Sequence, residues 1–225
     1  MLAVGETVPP QLLGIFVKEP LAGKVKTRLC PPLQLAEAAE LYEVALRETV
    51  ERFSVSAVSI VLFYAGSGEY FQKNFPGLPL WPQADGDLGQ RMTEALSLLL
   101  ATGCRSAGLI GSDSPDLPLA QVDAAFSALA EHDVVTVPAD DGGYVLIGSS
   151  RPCPEVFQGI DWSTEVVSRQ TRQRAEQNAI SFCEVGGWKD IDDHNSLLAL
   201  LKRTPTSATA HHIREKLQHC LSPVE

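Results

Sequence analysis

The sequence predicts an α/β fold in which helices cover both faces of a mainly parallel, mixed sheet. Short apolar runs of strand length alternate along most of the chain with amphipathic segments of helix length. Strands that alternate with helices are joined by crossover connections, and such strands run parallel. With 225 residues, 44% of them hydrophobic, the chain is long enough for one self-sufficient core. We therefore expect a single domain over residues 1–225, with residues 204–225 as a C-terminal helical tail.

The N-terminal half of the chain supplies two buried strands and two helices. Leu12–Val17 and Val55–Tyr64 are rich in branched and aromatic residues, which favours buried strands. Between them, apolar residues recur every three or four positions, as on one face of a helix. This stripe consists of Leu35, Ala38, Tyr42, Ala45, Thr49 and Phe53. A second helix is predicted from about Leu88 to Leu100.

The C-terminal half continues the alternation. A strand is predicted over Ala107–Gly111, and a helix over Pro118–Leu129 because proline suits the first helical position. The turn that begins Asp140-Asp-Gly-Gly predicts a hairpin of the strands Val134–Val137 and Tyr144–Ile147. The remaining predicted elements are a helix over Ser163–Asn178, a strand over Ile180–Cys183 and a mostly helical segment over Ser196–His219.

Composition and charge exclude several classes of protein. Asp and Glu outnumber Lys and Arg by 28 to 18, for a formal net charge of −10, and an acidic chain repels nucleic acid and anionic lipid. The five cysteines are scattered, so neither a disulfide framework nor a zinc site is indicated. No apolar stretch approaches the roughly 20 residues of a membrane span, and no secretory signal is readable. We expect a cytoplasmic protein with no nucleic-acid partner and no membrane span.

A basic loop follows the first predicted strand. Only 18 of the 225 residues are Lys or Arg, yet four of them (Lys18, Lys24, Lys26 and Arg28) fall within eleven positions. Gly23 favours a turn that faces backbone N–H groups outward. Ligands of open α/β sheets bind beyond the carboxyl ends of the strands, so the loop is expected to bind a di- or triphosphate. The alternative is a solvated basic loop, and both the Walker P-loop and the dinucleotide-binding fingerprint are absent.

Carboxylates stand at two later positions suited to a divalent cation. Asp113 and Asp116 come just after a predicted strand, and Asp190 and Asp192 lie in an acidic run near the C-terminus. Mg²⁺ and Mn²⁺ prefer carboxylate oxygens and retain waters and phosphate oxygens as further ligands. Helix capping and turn formation are the competing interpretations, and they fit Asp116 in particular. We expect Asp113 to be a metal ligand, with Asp190 or Asp192 as the second.

Three further groups are weaker candidates. The segment from Gln83 to Met92 is a glycine-bearing loop that could form one wall of a binding site for a base or ribose. The alternative is a plain turn and N-cap. Asp141 and Tyr144 lie in the hairpin turn and are candidate acceptor-side residues, with Asp141 also the candidate general base. Trp162 could stack on a sugar, with core packing as the alternative.

These motifs occur in one order over about residues 12–200. They are Lys18-x-Pro20-x-x-Gly23-x-Val25-Lys26-Thr27-Arg28-Leu29, Gly86-Asp-Leu-Gly89-x-Arg91-Met92, Gly111-x-Asp113-x-Pro115-x-Leu117, Asp141-Gly-Gly-Tyr144 and Asp190-x-Asp192. In this combination the chain resembles the arsenosugar-biosynthesis-type glycosyltransferases of the nucleotide-diphospho-sugar transferase superfamily. It is similar, more distantly, to the phospholactate and molybdenum-cofactor guanylyltransferases. The resemblance implies a GT-A fold, a Rossmann-like three-layer α/β/α sandwich that binds an activated nucleotide with a divalent cation.

The resemblance also implies a role for each motif. It makes Asp113 the metal aspartate and Asp190 or Asp192 the second carboxylate. The phosphate loop that it implies consists of Lys18, Gly23, Lys26 and Arg28, and the nucleotide wall includes Gly86 and Gly89. We expect Lys24, Thr27 and Arg91, which stand in the same motifs, to contact the nucleotide as well. Two departures are the spacing Asp113-x-x-Asp116, where many glycosyltransferases of this fold carry Asp-x-Asp, and Ser114, where relatives commonly have Cys.

The expected function is that of a transferase that depends on Mg²⁺ or Mn²⁺ and uses a nucleotide-activated donor. Its expected catalytic residues are Asp113, Lys26, Arg28 and Asp141, which would neutralise charge on departing phosphates and activate the acceptor. The first expectation is transfer of a sugar from a nucleotide sugar to a small-molecule acceptor. The alternatives are nucleotidyl transfer from an NTP with release of pyrophosphate, and a nucleotide-binding module without catalysis. All three require the basic loop and the carboxylates to meet in space.

Overall fold

The computed structural model describes residues 10–221 and shows a seven-stranded sheet between helical layers. The strands are Gln11–Lys18 (β1), Ser59–Ala65 (β2), Leu80–Pro82 (β3), Ser106–Gly111 (β4), Val134–Pro138 (β5), Tyr144–Ser149 (β6) and Phe182–Glu184 (β7). The helices are Leu35–Ser54 (α1), Gly68–Asn74 (α2), Leu88–Ala101 (α3), Leu119–Ala128 (α4), Val167–Gln177 (α5), His194–Arg203 (α6) and Ala208–Lys216 (α7). None of these helices has the length and apolar character needed to cross a membrane. Residues 1–9 and 222–225 of the expected domain lie outside the described residues.

The sheet is mainly parallel, as predicted. Its strand order is β3-β2-β1-β4-β6-β5-β7, and β6 runs antiparallel to both β4 and β5. The turn between β5 and β6 contains Gly142 at a φ of 88°, a left-handed conformation that glycine adopts without steric cost. At the centre of the sheet, β1 and β4 are parallel neighbours, with Phe16 opposite Gly111. The loops that follow these two strands therefore leave the sheet side by side.

Each face of the sheet carries its own apolar cluster, because successive strand residues point to opposite faces. From β1, Leu13, Ile15 and Val17 join a cluster with α1, α2 and α4. Leu12 joins a second cluster on the other face, which includes residues of α3 and α5. The three-layer α/β/α arrangement expected from the sequence is thereby confirmed.

A third apolar cluster joins the two C-terminal helices to α1. It contains Leu41 of α1, Leu200 of α6 and Ile213 of α7, together with Ile191. Ile191 is only 1% exposed. Because Ile191 stands between Asp190 and Asp192, the same cluster that seats the C-terminal helices also anchors the acidic segment of the chain.

Several element boundaries differ from the predictions. β2 begins at Ser59 and not at Val55, since Val55 ends α1 and the Ser56 hydroxyl closes a turn on two backbone carbonyls. α5 begins at Val167 because Ser163, the predicted start, has a left-handed φ of 64° that a helix does not accommodate. α2 and β3 have no counterpart in the predictions, because elements of seven and three residues are too short to show a periodic apolar pattern.

Candidate active site

A pocket of ≈ 550 Å³ opens at the carboxyl ends of β1 and β4. The basic loop after β1 lines one part of it, α3 and β6 contribute further walls, and the acidic segment before α6 closes the remainder. The predicted site residues that line the pocket are Lys18, Lys24, Lys26, Thr27, Arg28, Arg91, Asp113, Tyr144, Asp190 and Asp192. Residues up to 166 positions apart in the sequence contact one another here.

Lys26 is the centre of contact between the basic loop and the carboxylates. Its Nζ lies 2.6 Å from Oδ1 of Asp113 and 3.5 Å from Oδ1 of Asp192, and it also donates a hydrogen bond to the carbonyl oxygen of Ile191. The side chain is 7% exposed, so water screens these ion pairs only weakly. Burial alone would lower the pKa of Lys26, but the charges of Asp113 and Asp192 outweigh burial and raise it. The ammonium group is therefore charged at neutral pH.

The local backbone aims Lys26 at the carboxylates. Lys26 has a left-handed φ of 48° and stands immediately before a 3₁₀ turn over Thr27–Leu29. This conformation is uncommon for residues other than glycine and persists where tertiary contacts determine it. Val25 and Leu29, on either side, are buried at 4% and 2% exposure. The apolar residues of the loop thus hold it on the core while Lys26 faces the pocket.

Three carboxylates of the hairpin turn and the acidic segment lie close together. Asp141, Asp190 and Asp192 each offer an oxygen within 4.8 Å of the others. Burial raises the pKa of Asp190 to about 6, with a further contribution from the charges of Asp192 and Asp141. Arg28 approaches the group from the basic loop, with its Nη1 3.1 Å from Oδ2 of Asp192. Carboxylate oxygens in this number suit Mg²⁺ or Mn²⁺, so the donor set fits the cation that the fold implies.

Main-chain contacts hold the acidic segment against the loop that carries Asp113. The N–H of Ile191 donates to the carbonyl oxygen of Asp113 at 3.0 Å. Asp193 accepts a hydrogen bond from the N–H of Ser196 at 2.7 Å and caps α6. Asp193 is therefore a helix cap, whereas Asp190 and Asp192 line the pocket.

Asp116 does not reach this pocket. Its carboxylate is fully buried and pairs with Arg203, whose Nε lies 2.7 Å from Oδ2. The indole Nε1 of Trp188 donates to the same carboxylate at 3.2 Å, and the Arg203 guanidinium stacks over the Trp188 ring at 5.2 Å from the centroid. The hypothesis of Asp116 as a pocket ligand is wrong, and so is capping: Asp116 is one half of a buried ion pair.

Sequence reasoning missed two hydroxyl groups of the pocket. Tyr42 belongs to the predicted apolar stripe, but its Oη accepts the backbone N–H of Lys18 at 2.8 Å and shares a 2.7 Å hydrogen bond with Oγ of Ser112. Burial, and then the charge of Asp113, raise the pKa of Tyr42. The neutral phenol thus links α1 to the ends of β1 and β4. A lone phenol in an otherwise apolar stripe is the one signal that could have identified it.

Five predicted residues, all within the described range, do not line the pocket: Gly23, Gly86, Gly89, Asp141 and Trp162. The carbonyl oxygen of Gly86 accepts a hydrogen bond from Nε of Arg91 at 2.9 Å, so Gly86 orients a lining residue. A Cβ on Gly89 would lie 2.7 Å from the Trp162 ring. Trp162 packs against the second apolar cluster, which includes residues of α3, as the core-packing alternative predicted. Asp141 stands at the pocket edge, and its Oδ1 also accepts the N–H of Gly143, as in a turn.

The raised pKa of Asp190 predicts that the free energy of unfolding depends on pH. Its folded-state pKa of about 6 lies above the ordinary value of 3.8. The folded protein therefore holds this proton more tightly than the unfolded chain, and stability falls as pH rises from about 4 to 6 and is level above. Asp190→Asn cannot ionise, so we expect it to be more stable than wild type at pH 8 by about 1–2 kcal/mol, allowing for partial exposure.

Urea denaturation at pH 4 and pH 8 measures this effect. The gain of Asp190→Asn over wild type should become much smaller at the lower pH, where the wild-type carboxyl is protonated in the folded protein and partly protonated in the unfolded chain. The matched control is Asp140→Asn, since Asp140 is 64% exposed and its one ion pair among the described residues is with Lys189. A difference between Asp190→Asn and wild type that is the same at both pH values would contradict the raised pKa.

The architecture matches a known class of protein. A crystal structure from Desulfovibrio desulfuricans G20, described as a “putative nucleotide-diphospho-sugar transferase”, is 30% identical over 93% of this chain and 96% of that chain, with a TM-score of 0.87. At this identity and coverage, the chain is a member of the nucleotide-diphospho-sugar transferase superfamily. Residues 48–164 match the family described as “Uncharacterized protein conserved in bacteria (DUF2064)”. The chain belongs to the DUF2064 family.

More distant solved structures share the fold alone. A cytidylyltransferase from Leptospira borgpetersenii serovar Hardjo-bovis is 13% identical over 96% of this chain and 98% of that chain, with a TM-score of 0.52. A 4-diphosphocytidyl-2C-methyl-D-erythritol synthase from Anaerococcus prevotii DSM 20548 is 12% identical over 86% of this chain and 98% of that chain, with a TM-score of 0.55. No curated protein matches the sequence.

Proposed function

We propose that the protein is a metal-dependent transferase that moves a sugar from a nucleotide sugar to a small-molecule acceptor. The observation that carries the proposal is the meeting of the basic loop and the carboxylates in one pocket, through the ion pairs Lys26–Asp113 and Arg28–Asp192. A diphosphate and a divalent cation are the ligands complementary to such paired sets of charge. The likeness to the Desulfovibrio protein supports the donor class, and the motifs shared with arsenosugar-biosynthesis-type glycosyltransferases support sugar transfer.

The basic side chains are proposed to bind the diphosphate of the donor. Lys18 and Lys24 line the pocket and have no carboxylate partner within residues 10–221. Arg91 uses its Nε on the Gly86 carbonyl, which leaves its terminal nitrogens for an anion. Arginine binds phosphate oxygens in pairs, whereas lysine acts as a point charge. Together these groups would neutralise the charge that builds on the departing phosphates.

The carboxylates are proposed to hold the cation and to face the acceptor. Its ligands would be Asp190 and Asp192, two of the three neighbouring carboxylates, together with Asp113, which contacts the same Lys26 ammonium as Asp192. A bound cation would supply charge neutralisation on the donor phosphates. Asp141, at the pocket edge, is the proposed general base. Tyr144 lines the pocket, and its buried hydroxyl lies near the hydroxyl of Thr171 in α5. Its place in the pocket lining supports Tyr144 as an acceptor-side residue.

Nucleotidyl transfer is the second candidate, and the charge balance of the pocket favours it. Five basic side chains line the pocket against three carboxylates. A triphosphate with its cation would use this surplus more fully than a diphosphate does. The two reactions differ in the leaving group, which is a nucleoside diphosphate in sugar transfer and pyrophosphate in nucleotidyl transfer.

Product analysis distinguishes these reactions. The protein is incubated with Mn²⁺ and either a panel of nucleotide sugars or the four NTPs, with sugar alcohols and other small hydroxyl compounds as acceptors. We expect a nucleoside diphosphate to be released from at least one nucleotide sugar. Pyrophosphate released from an NTP would support the second candidate instead. Saturable nucleotide binding without any product would contradict both and indicate a non-catalytic binding module.

A further inference from the structure

The three N–H groups of the Lys26 ammonium all have partners inside the protein. They face Asp113, Asp192 and the carbonyl oxygen of Ile191, and an ammonium group has three donors and no more. In this arrangement Lys26 has no donor left for a phosphate. If Lys26 binds the donor diphosphate, it must first release at least one of these partners.

Both oxygens of Asp192 also have a cationic partner. Its Oδ1 faces Lys26 and its Oδ2 faces Arg28 at 3.1 Å. Oδ1 of Asp113 also lies against the Lys26 ammonium, at 2.6 Å. A divalent cation that approached these oxygens would meet a buried positive charge already in place, and like charges at short range repel strongly where water screens them poorly. The proposed cation and the observed lysine thus require the same carboxylates.

We propose that Lys26 is a placeholder for the cation: its ammonium group contacts the carboxylates until a diphosphate binds that group and draws it away. The inference rests on the proposed function and deepens it by setting the order of binding: the cation enters with the diphosphate and binds poorly before it. The flexible four-carbon stem of lysine allows the ammonium to move between two anions without movement of the loop backbone. Lys24 and Arg28, both exposed, would meet the phosphates first.

The Lys26 ammonium also reduces the repulsion among the carboxylates of the pocket. The carboxylates of Asp113, Asp190 and Asp192 carry like charges and repel one another. Lys26 offsets that repulsion, which is why its removal should create a better site for a free divalent cation. A lysine with a merely structural role would behave differently, because its loss would disorder the pocket and weaken the binding of every ligand.

The test measures the metal and the anion separately. Calorimetric titrations with Mn²⁺ alone and with inorganic pyrophosphate alone are carried out on wild type, Lys26→Met and Lys24→Met. For Lys26→Met we expect Mn²⁺ to bind about tenfold more tightly and pyrophosphate about tenfold more weakly, within the usual range for coupled sites. Lys24→Met is the matched control, a lysine of the same loop that lines the pocket without a carboxylate partner in the described chain. This variant should bind pyrophosphate more weakly and keep its Mn²⁺ affinity within about twofold of the wild-type value.

Each outcome decides between the alternatives. Opposite changes in the two affinities support the placeholder, and weaker binding of both ligands by Lys26→Met overturns it in favour of a structural lysine. An unchanged Mn²⁺ affinity, with pyrophosphate binding retained by wild type, overturns the placeholder alone. If wild type and variants bind neither ligand, the proposed function fails and the placeholder fails with it. Should circular dichroism show that Lys26→Met is unfolded, Lys26→Gln, which keeps a hydrogen-bond donor, is measured in its place with the same expectations.

Discussion

Asp113→Asn is expected to lower turnover by about 10²–10³-fold, the usual cost of one preorganised polar contact in a reacting site. The substitution removes the negative charge that faces Lys26 and the proposed cation, and it keeps the shape of the side chain. The fold should be nearly unaffected, because the Asp113 side chain is 47% exposed. Its main-chain contact, the hydrogen bond from the Ile191 N–H, survives the substitution, and Lys26 keeps Asp192 as an ionic partner.

Two measurements check this expectation, namely turnover with the donor identified by product analysis and the free energy of unfolding in urea. The control is Asp123→Asn, a substitution of the same kind at an exposed position of α4, and it should retain wild-type turnover. Full activity in Asp113→Asn would eliminate this carboxylate from the chemistry. A large loss of stability would instead show that Asp113 holds the fold together.

Arg203→Ala is expected to lower the free energy of unfolding by about 3–5 kcal/mol, the range found when one partner of a buried ion pair is removed. Asp116 has a fully buried side chain, and Arg203 donates to both of its oxygens, at 2.7 and 3.1 Å. Without the guanidinium, the one side-chain hydrogen bond that Asp116 keeps within residues 10–221 is the 3.2 Å bond from Trp188. An uncompensated carboxylate would then remain in the interior, and the arginine stack on the indole would also be lost.

The control for Arg203→Ala is an ion pair of the same type on the surface. Arg172 pairs with Glu184, and the two side chains are 49% and 25% exposed. Exposed pairs contribute at most about 1 kcal/mol, so Arg172→Ala should change stability little. Urea unfolding of both variants, followed by fluorescence and circular dichroism, measures the contrast. Equal losses in the two variants would contradict a special contribution from burial.

Loss of Arg203 should also affect the pocket. Its Nη2 donates to the carbonyl oxygen of Lys189 at 3.2 Å, one residue before the acidic segment that begins at Asp190. We therefore expect the remaining folded Arg203→Ala protein to bind Mn²⁺ and donor more weakly than wild type.

Much of the fold could be predicted because local patterns encode it. The apolar stripe that begins at Leu35 corresponds to α1, and the glycine-rich turn at Gly142 joins β5 and β6. A stripe or a turn signal depends on residues only a few positions apart, so it can be recognised in the sequence. The three-residue strand β3 could not be recognised, because its strand character comes from pairing with β2 and not from its own residues.

The candidate site could be predicted in composition but not in arrangement. Polar residues after the ends of predicted strands identified the basic loop and Asp113, since parallel strands carry their ligands at that edge. The same reasoning weighed Asp116 as a ligand, although that carboxylate is buried against Arg203. Two aspartates three positions apart thus have opposite environments. The difference depends on the direction that the loop takes after β4, and no local sequence pattern predicts that direction.

The sequence by itself determined the fold class, the order of most helices and strands, and the segments that carry the positive and negative charges. Only the tertiary structure decided which charges meet. Lys26 contacts Asp192 across 166 positions, and Arg203 contacts Asp116 across 87. The physical reason is that such pairs follow from strand order and from the burial of residues such as Ile191, which depend on the whole chain. Periodicity reports on neighbours along the sequence, whereas an ion pair depends on distance in space.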